Sequence, residues 1–256
     1  VLMTLGGLMN EALLEYIDHK LNNEDLGRVF PVTFQGNEYF VKRAVGNNRS
    51  SWIKPSPRAS FDHEFYMMNF VRTQLPLAPE IVGFRENYFV TPNYGKNLTY
   101  YGHLPQEHPE DSSLEDMAVH IFYAFGKALG MLHDYGIAHG RPALRDIVYD
   151  PDADSVMLLD WENARRWPEF TPAGWDLLIF IHSFIREGDL PNTYLYAAMN
   201  GYSSARCARD TVLHVKEVLH KRDYLFKFCR LLEPFHFVDT EAAVKSFDFI
   251  QALKTE

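Results

Sequence analysis

The sequence predicts an α+β protein in which a small β-rich part precedes a larger helical part. Three observations predict it. Strand-like runs are concentrated before residue 95, residues 114–135 carry one apolar face at helical spacing, and nearly everything after residue 160 reads as helix. The division is expected at 95/96, giving parts 1–95 (with a leading helix) and 96–256 of a single domain overall. No internal repeat or low-complexity tract interrupts this order.

Local signals place the elements. VLMTLGGLMNEALLEYIDHK, at the start, reads as an amphipathic helix. It lacks a basic stretch ahead of its apolar run, and Glu11 and Glu15 interrupt that run, which argues against a signal peptide. RVFPVTF and YFVKRAV flank a turn containing Gly36 and Asn37, a hairpin signal. Proline cannot donate to a strand ladder, so Pro31 makes the first strand an edge or irregular one. GNNRSSWIKPSPRAS reads as a loop, FDHEFYMMNFVRTQ as a helix, and EIVGFRE and NYFVTPNY as short strands. A polar Gly/Pro/His-rich connection is expected up to Pro109.

The clearest helix is Leu114 to Tyr135. Leu114, Ala118, Ile121, Phe125, Ala128 and Leu132 recur at steps of four and three, Ser112 and Glu115 match a capping box, and Gly136 ends the run. Beyond it lie a loop (HGRPALRD), strands IVYD and SVMLLD across the turn PDAD, and helical sequence to the end.

Composition narrows the function. With 46% hydrophobic and 14% aromatic residues among 256, the chain can build a core and is not disordered. A net charge of −9 argues against nucleic acid as the main ligand. Cys207 and Cys229 form neither a metal-binding spacing nor a disulfide framework, so a reducing, cytoplasmic setting is the simplest expectation. No apolar run reaches the roughly 18 residues of a membrane span.

The chemistry-bearing residues come in a telling order. Moving a phosphoryl group from ATP requires a cation for the phosphates, carboxylates for Mg²⁺, and a group that positions the acceptor hydroxyl. YFVKRA puts Lys42 at a strand end, and Glu64 in the next helix is spaced to pair with it and orient it. Glu80 is a rival, but it sits in the Pro-flanked LAPEIV. HGRPALRD supplies His139, Arg141 and Asp146, and LLDWENA supplies Asp160 at the end of a strand. His139 is read as a structural histidine that packs the loop. His214 and His220 read as ordinary surface positions.

Together these strings resemble the protein-kinase-like superfamily, in its atypical bacterial branches: lipopolysaccharide core-sugar kinases and aminoglycoside or choline phosphotransferases. The "HG" of the loop and the DWExA pattern are similar to the small-molecule phosphotransferase version, and GWDLLIFIHSFI, with Asp176, is similar to the helix whose buried Asp anchors the catalytic loop. The likeness covers roughly residues 28 to 190. It implies a bilobal fold with nucleotide between a β-rich N-lobe and a helical C-lobe. It also implies ATP and Mg²⁺ as cofactors, Lys42 and Glu64 at the nucleotide, and Asp146 and Asp160 at the metal.

Two departures qualify it. Counted from His139 along the family pattern H-x-D-x-x-x-x-N, Arg141 stands where the acceptor-positioning Asp belongs, and Asp146 stands where the Asn belongs. A guanidinium cannot accept a proton at neutral pH, so Arg141 is no general base. The phosphate-covering Gly-rich loop is also missing, since LNNEDLGRVFPV holds only Gly27. Losing base catalysis costs typically ~10²–10⁴-fold and not the whole rate, and Arg141 could instead stabilise a transferring phosphoryl. The expectation is therefore an atypical ATP/Mg-dependent phosphotransferase acting on a sugar, small-molecule or protein hydroxyl. The alternative is a pseudokinase, a nucleotide-binding or protein-interaction module without turnover. Lys42, Arg43, Arg49, Lys54 and Arg58, unbroken by acids and interspersed with Trp52, read either as a solvated loop or as a contact for an anionic acceptor or partner.

Overall fold

The computed structural model describes residues 2–45, 56–166, 171–232 and 237–253. The chain divides into two compact units, Val1–Tyr94 and Gly95–Glu256. It is mixed α+β, with small antiparallel sheets and a predominantly helical C-terminal part.

The first unit holds α1 (Leu2–Asn23), β1 (Val29–Phe34), β2 (Asn37–Arg43), α2 (Pro57–Arg72), β3 (Gly83–Arg85) and β4 (Tyr88–Pro92). Its four strands run antiparallel in the order β1-β2-β4-β3. The β1–β2 hairpin turns at Gln35 and Gly36, both with positive φ (50° and 82°), the backbone that a tight two-residue turn between twisted strands requires. Pro31 sits on β1, whose sole neighbour in the sheet is β2, so its missing N–H leaves no inner ladder broken. Leu13, Leu14 and Ile17 of α1 pack with Phe30, Val32, Val41, Tyr88 and Val90 into one apolar cluster. Polar ties reinforce it: the Tyr88 hydroxyl donates to Asp18 Oδ1 at 2.7 Å, and Arg85 pairs with Glu11.

Helix α2 starts where Ser56 Oγ accepts from the Ala59 N–H at 3.2 Å and Pro57 opens the first turn. Phe61, Glu64, Met67, Met68 and Val71 form its buried face. A glutamate on that face is the exception that matters below.

The second unit contains β5 (Lys96–Asn97), α3 (Leu98–Glu107), α4 (Ser113–Asp134), β6 (Ile137–Ala138), β7 (Ile147–Asp150), β8 (Ser155–Leu158), β9 (Arg165–Arg166), α5 (Thr171–Arg186), α6 (Asn192–Tyr202), α7 (Ala208–Lys221), α8 (Asp223–Leu232) and α9 (Val238–Ala252). Strands β5-β7-β8 form one sheet, and β6 pairs with β9. The stretch expected to be a polar connection up to Pro109 is in fact helical over α3. Asn97 Oδ1 caps it by accepting from the Tyr100 N–H at 3.0 Å, and burial of Leu98 and Tyr101 outweighs the proline in its last turn.

The apolar face of α4 forms as its periodicity predicts, with Ala118, Ile121, Phe125, Ala128 and Leu132 buried. The capping box does not form. Asp111 Oδ1 accepts from Ser113 N and Oγ at 3.0 and 2.6 Å, and the Glu115 carboxylate instead accepts from the buried Tyr194 hydroxyl at 2.5 Å. Tertiary partners win over the local cap here. Helices α4 and α6 approach at backbone contact. A Cβ on Gly126 would lie 1.8 Å from the Ala198 carbonyl oxygen, and one on Gly201 would lie 2.1 Å from the Tyr123 carbonyl oxygen. Phe125 against Phe180 (4.6 Å between centroids) and Phe122 against Tyr194 and Phe184 join α4 to α5 and α6. Among the described residues, no helix is long and apolar enough to cross a membrane.

Candidate functional site

Within the first unit, alternation along β2 separates Val41, fully buried, from Lys42 beside it. The Lys42 ammonium lies 2.7 Å from Glu64 Oε1 and 2.6 Å from Oε2. Their side chains are 14% and 2% exposed. A charge this deep needs a partner, so the pair orients both groups. Glu80 pairs with Arg72 instead.

The basic stretch is divided. Arg49, Trp52 and Lys54 lie outside the described residues. Arg43 donates to the Leu26 carbonyl, while Arg58 pairs with Asp62 at 3.0 Å and stacks over Phe61. Both guanidiniums are thus engaged within their own unit.

Within the second unit, the chain from Ile137 to Ile147 is fixed from both ends. Asp176 on α5 is fully buried, and its carboxylate accepts from the His139 and Gly140 backbone N–H groups, each at 2.8 Å. His133 on α4 lies 3.2 Å from the same carboxylate and 2.8 Å from the Tyr202 hydroxyl, which extends the network to α6. Burial pushes the Tyr202 hydroxyl pKa well up, so it stays protonated. At Gly140 (φ 85°) a Cβ would fall 2.2 Å from the Asn163 carbonyl oxygen, so only glycine lets residues 139–141 run against residues 163–165. The β6–β9 pairing continues this contact, with Ala138 opposite Arg165.

His139 is completely buried. Its Nε2 sits 2.7 Å from the Leu159 carbonyl oxygen, and its ring meets Trp161 edge-on at 4.8 Å. Nε2 must donate to that carbonyl. Burial depresses the imidazole pKa below its usual 6.5, against the pull of Asp176, so the ring is a neutral strut. Trp161 is equally buried, its indole N–H bonded to the Leu158 carbonyl at 2.7 Å. Between these two anchored residues, Asp160 takes a left-handed backbone (φ 65°, ψ 63°), a conformation that aspartate tolerates better than most residues.

Arg141 reaches two carboxylates at once. Its Nη2 lies 3.3 Å from Asp146 Oδ2 and 3.4 Å from Asp160 Oδ2, and Arg145 Nε approaches Asp146 Oδ1 at 3.7 Å. These are loose contacts for charge-assisted hydrogen bonds, which favour about 2.7–2.9 Å. Asp146 and Asp160 remain 14% and 22% exposed, and Arg141 38%. Burial raises the Asp146 pKa, helped by the like charge of Asp160 and opposed by Arg141.

Sequence reasoning named Lys42, Glu64, Arg141, Asp146, Asp160, His139 and Asp176. It missed His133, Tyr202 and Trp161, which hold the loop in place. His133 carried a signal: it is a polar residue on the buried side of α4, next to Leu132.

No protein-family model matches the chain. A Haemophilus influenzae protein, described only as uncharacterized, is 29% identical to it over 195 residues, covering 73% of this chain and 75% of its own.

Proposed function

We propose that the protein is an atypical, kinase-like phosphotransferase that uses ATP and Mg²⁺, with Val1–Tyr94 as the small lobe and Gly95–Glu256 as the large one. The observation that carries this reading is the convergence of Asp146 and Asp160 on one cation, at 3.3 and 3.4 Å, on a loop pinned by the buried Asp176. Two partly exposed carboxylates turned toward a single positive group suit a hard divalent cation, and the guanidinium marks where positive charge is accepted. A Mg²⁺ held there would neutralise charge on the transferring phosphoryl. Lys42, kept in orientation by Glu64, suits a phosphate contact. The acceptor hydroxyl, on a sugar, small molecule or protein, would form its bond to the γ-phosphorus as the bond to the β–γ bridging oxygen breaks and ADP leaves, with the hydroxyl proton passing to solvent because Arg141 cannot accept it.

One observation favours a second reading. Arg141 stands at the acceptor-positioning place and already balances both carboxylates, as a pseudokinase that binds nucleotide without turnover would allow. A melting-temperature titration with ATP, with and without Mg²⁺, followed by a γ-phosphate release assay, tests both. At a hundredfold excess over Kd, binding adds about 2.7 kcal/mol of stability. Mg-dependent stabilisation with release supports the phosphotransferase. Stabilisation without release supports the second reading, and a flat melting temperature overturns both.

A further inference from the structure

We propose that Arg141 is a built-in placeholder cation, which holds the Asp146–Asp160 pair against free divalent metal and releases it when nucleotide phosphate arrives with the metal. The inference rests on the metal role assigned to these carboxylates above.

Geometry and chemistry point the same way. The oxygens of Asp146 and Asp160 that converge on one point are their Oδ2 atoms, and Nη2 of Arg141 contacts both, so a divalent ion bridging the two carboxylates at that point takes the place of the guanidinium. Guanidinium and metal cannot share those oxygens at close range, because two cations would meet where one is tolerated. Metal entry therefore displaces Arg141. The displacement is feasible: both contacts are longer than a strong charged hydrogen bond, and the side chain is 38% exposed. Arg145 stays near Asp146 on its other oxygen, so that carboxylate keeps a neighbour of opposite charge.

The destination decides the consequence. With metal alone, the displaced guanidinium exchanges two carboxylates for water. With metal and nucleotide together, it gains phosphate oxygens, which its planar fork suits. Metal and nucleotide should then bind cooperatively, and by linkage each raises the other's affinity equally. An aspartate at position 141 would provide no such exchange.

Mn²⁺ is the probe, followed by its spin-resonance signal or by calorimetry, with and without saturating ADP. The proteins are wild type, Arg141→Met and Arg141→Gln, each checked by melting; the second variant covers a folding failure of the first. Without nucleotide, the variants should bind Mn²⁺ at least tenfold more tightly than wild type. Adding ADP should enhance Mn²⁺ affinity by a smaller factor in the variants than in wild type. Equal or weaker Mn²⁺ binding by the folded variants, with wild type still binding Mn²⁺ in the presence of ADP, would overturn the placeholder role and leave the phosphotransferase reading standing. No Mn²⁺ binding by any of the three, with or without ADP, would overturn both.

Discussion

Asp176 and the Asp146–Asp160 pair serve the same loop in opposite ways. Asp176 has no exposure and sits between two backbone N–H donors at 2.8 Å and the ring of His133. Asp146 and Asp160 share one guanidinium at more than 3.2 Å and keep a solvent-facing edge. The first arrangement satisfies a carboxylate completely, and so fixes the chain around it. The second holds two carboxylates by long contacts and leaves them partly open to solvent. Burial and the geometry of the contacts, not residue type, separate the sealed aspartate from the two that keep an exposed edge.

The comparison breaks most visibly at Asp176. Asp176→Ala removes the acceptor for the His139 and Gly140 backbone N–H groups and a partner of buried His133. Breaking such a network costs about 3–5 kcal/mol, a large fraction of ordinary domain stability. Urea denaturation should show that loss, or no folded protein at all. Wild-type stability in Asp176→Ala would mean the loop is held elsewhere.

A smaller effect comes from the neutral strut. The folded-state pKa of His139 is below its unfolded value of 6.5, because burial disfavours the charged ring. Its contribution is therefore fully present above pH 6.5 and is lost as pH falls from there toward the folded pKa. One such group adds a slope of at most about 1.4 kcal/mol per pH unit. His139→Gln keeps an N–H donor for Leu159 but no titrating ring, so its stability should fall less steeply below pH 6.5. Identical acid limbs for the two proteins would show that His139 charges freely in the fold.

The smallest effect sharpens the other side. Asp160→Asn keeps a residue that accepts the left-handed backbone and gives up the charge of a loose, partly exposed ion pair. Its stability should stay within about 1 kcal/mol of wild type, while Mg-dependent stabilisation by ATP disappears. A drop comparable to that of Asp176→Ala would place Asp160 among the structural carboxylates.

How much of this was legible follows the range of each interaction. The β1–β2 hairpin, the edge position of Pro31 and the buried face of α4 rest on contacts between residues near in sequence or on strict periodicity, and the sequence predicts them. Helix α3 did not show, because its polar and proline-bearing sequence is overridden by burial of Leu98 and Tyr101. The capping box at Ser112 failed for a similar reason, since Glu115 found Tyr194. The motifs picked out Asp146, Asp160 and Asp176 and led to the expectation that Asp176 is buried, as it is, but gave Asp146 and Asp160 no environments.

The sequence by itself determined the α+β class, a β-rich first part followed by a mostly helical second, and the choice of Arg141, Asp146 and Asp160 as candidate site residues. Periodicity, turn chemistry and residue identity are local properties, so they are written along the chain. Only the tertiary structure decided that Asp176 is sealed by His133, His139 and Gly140, that α4 and α6 touch at Gly126 and Gly201, and that one nitrogen of Arg141 meets two carboxylates. Each of those facts depends on residues far apart in sequence meeting within a few ångströms, and burial there sets which charges are sealed inside the fold and which keep an exposed edge.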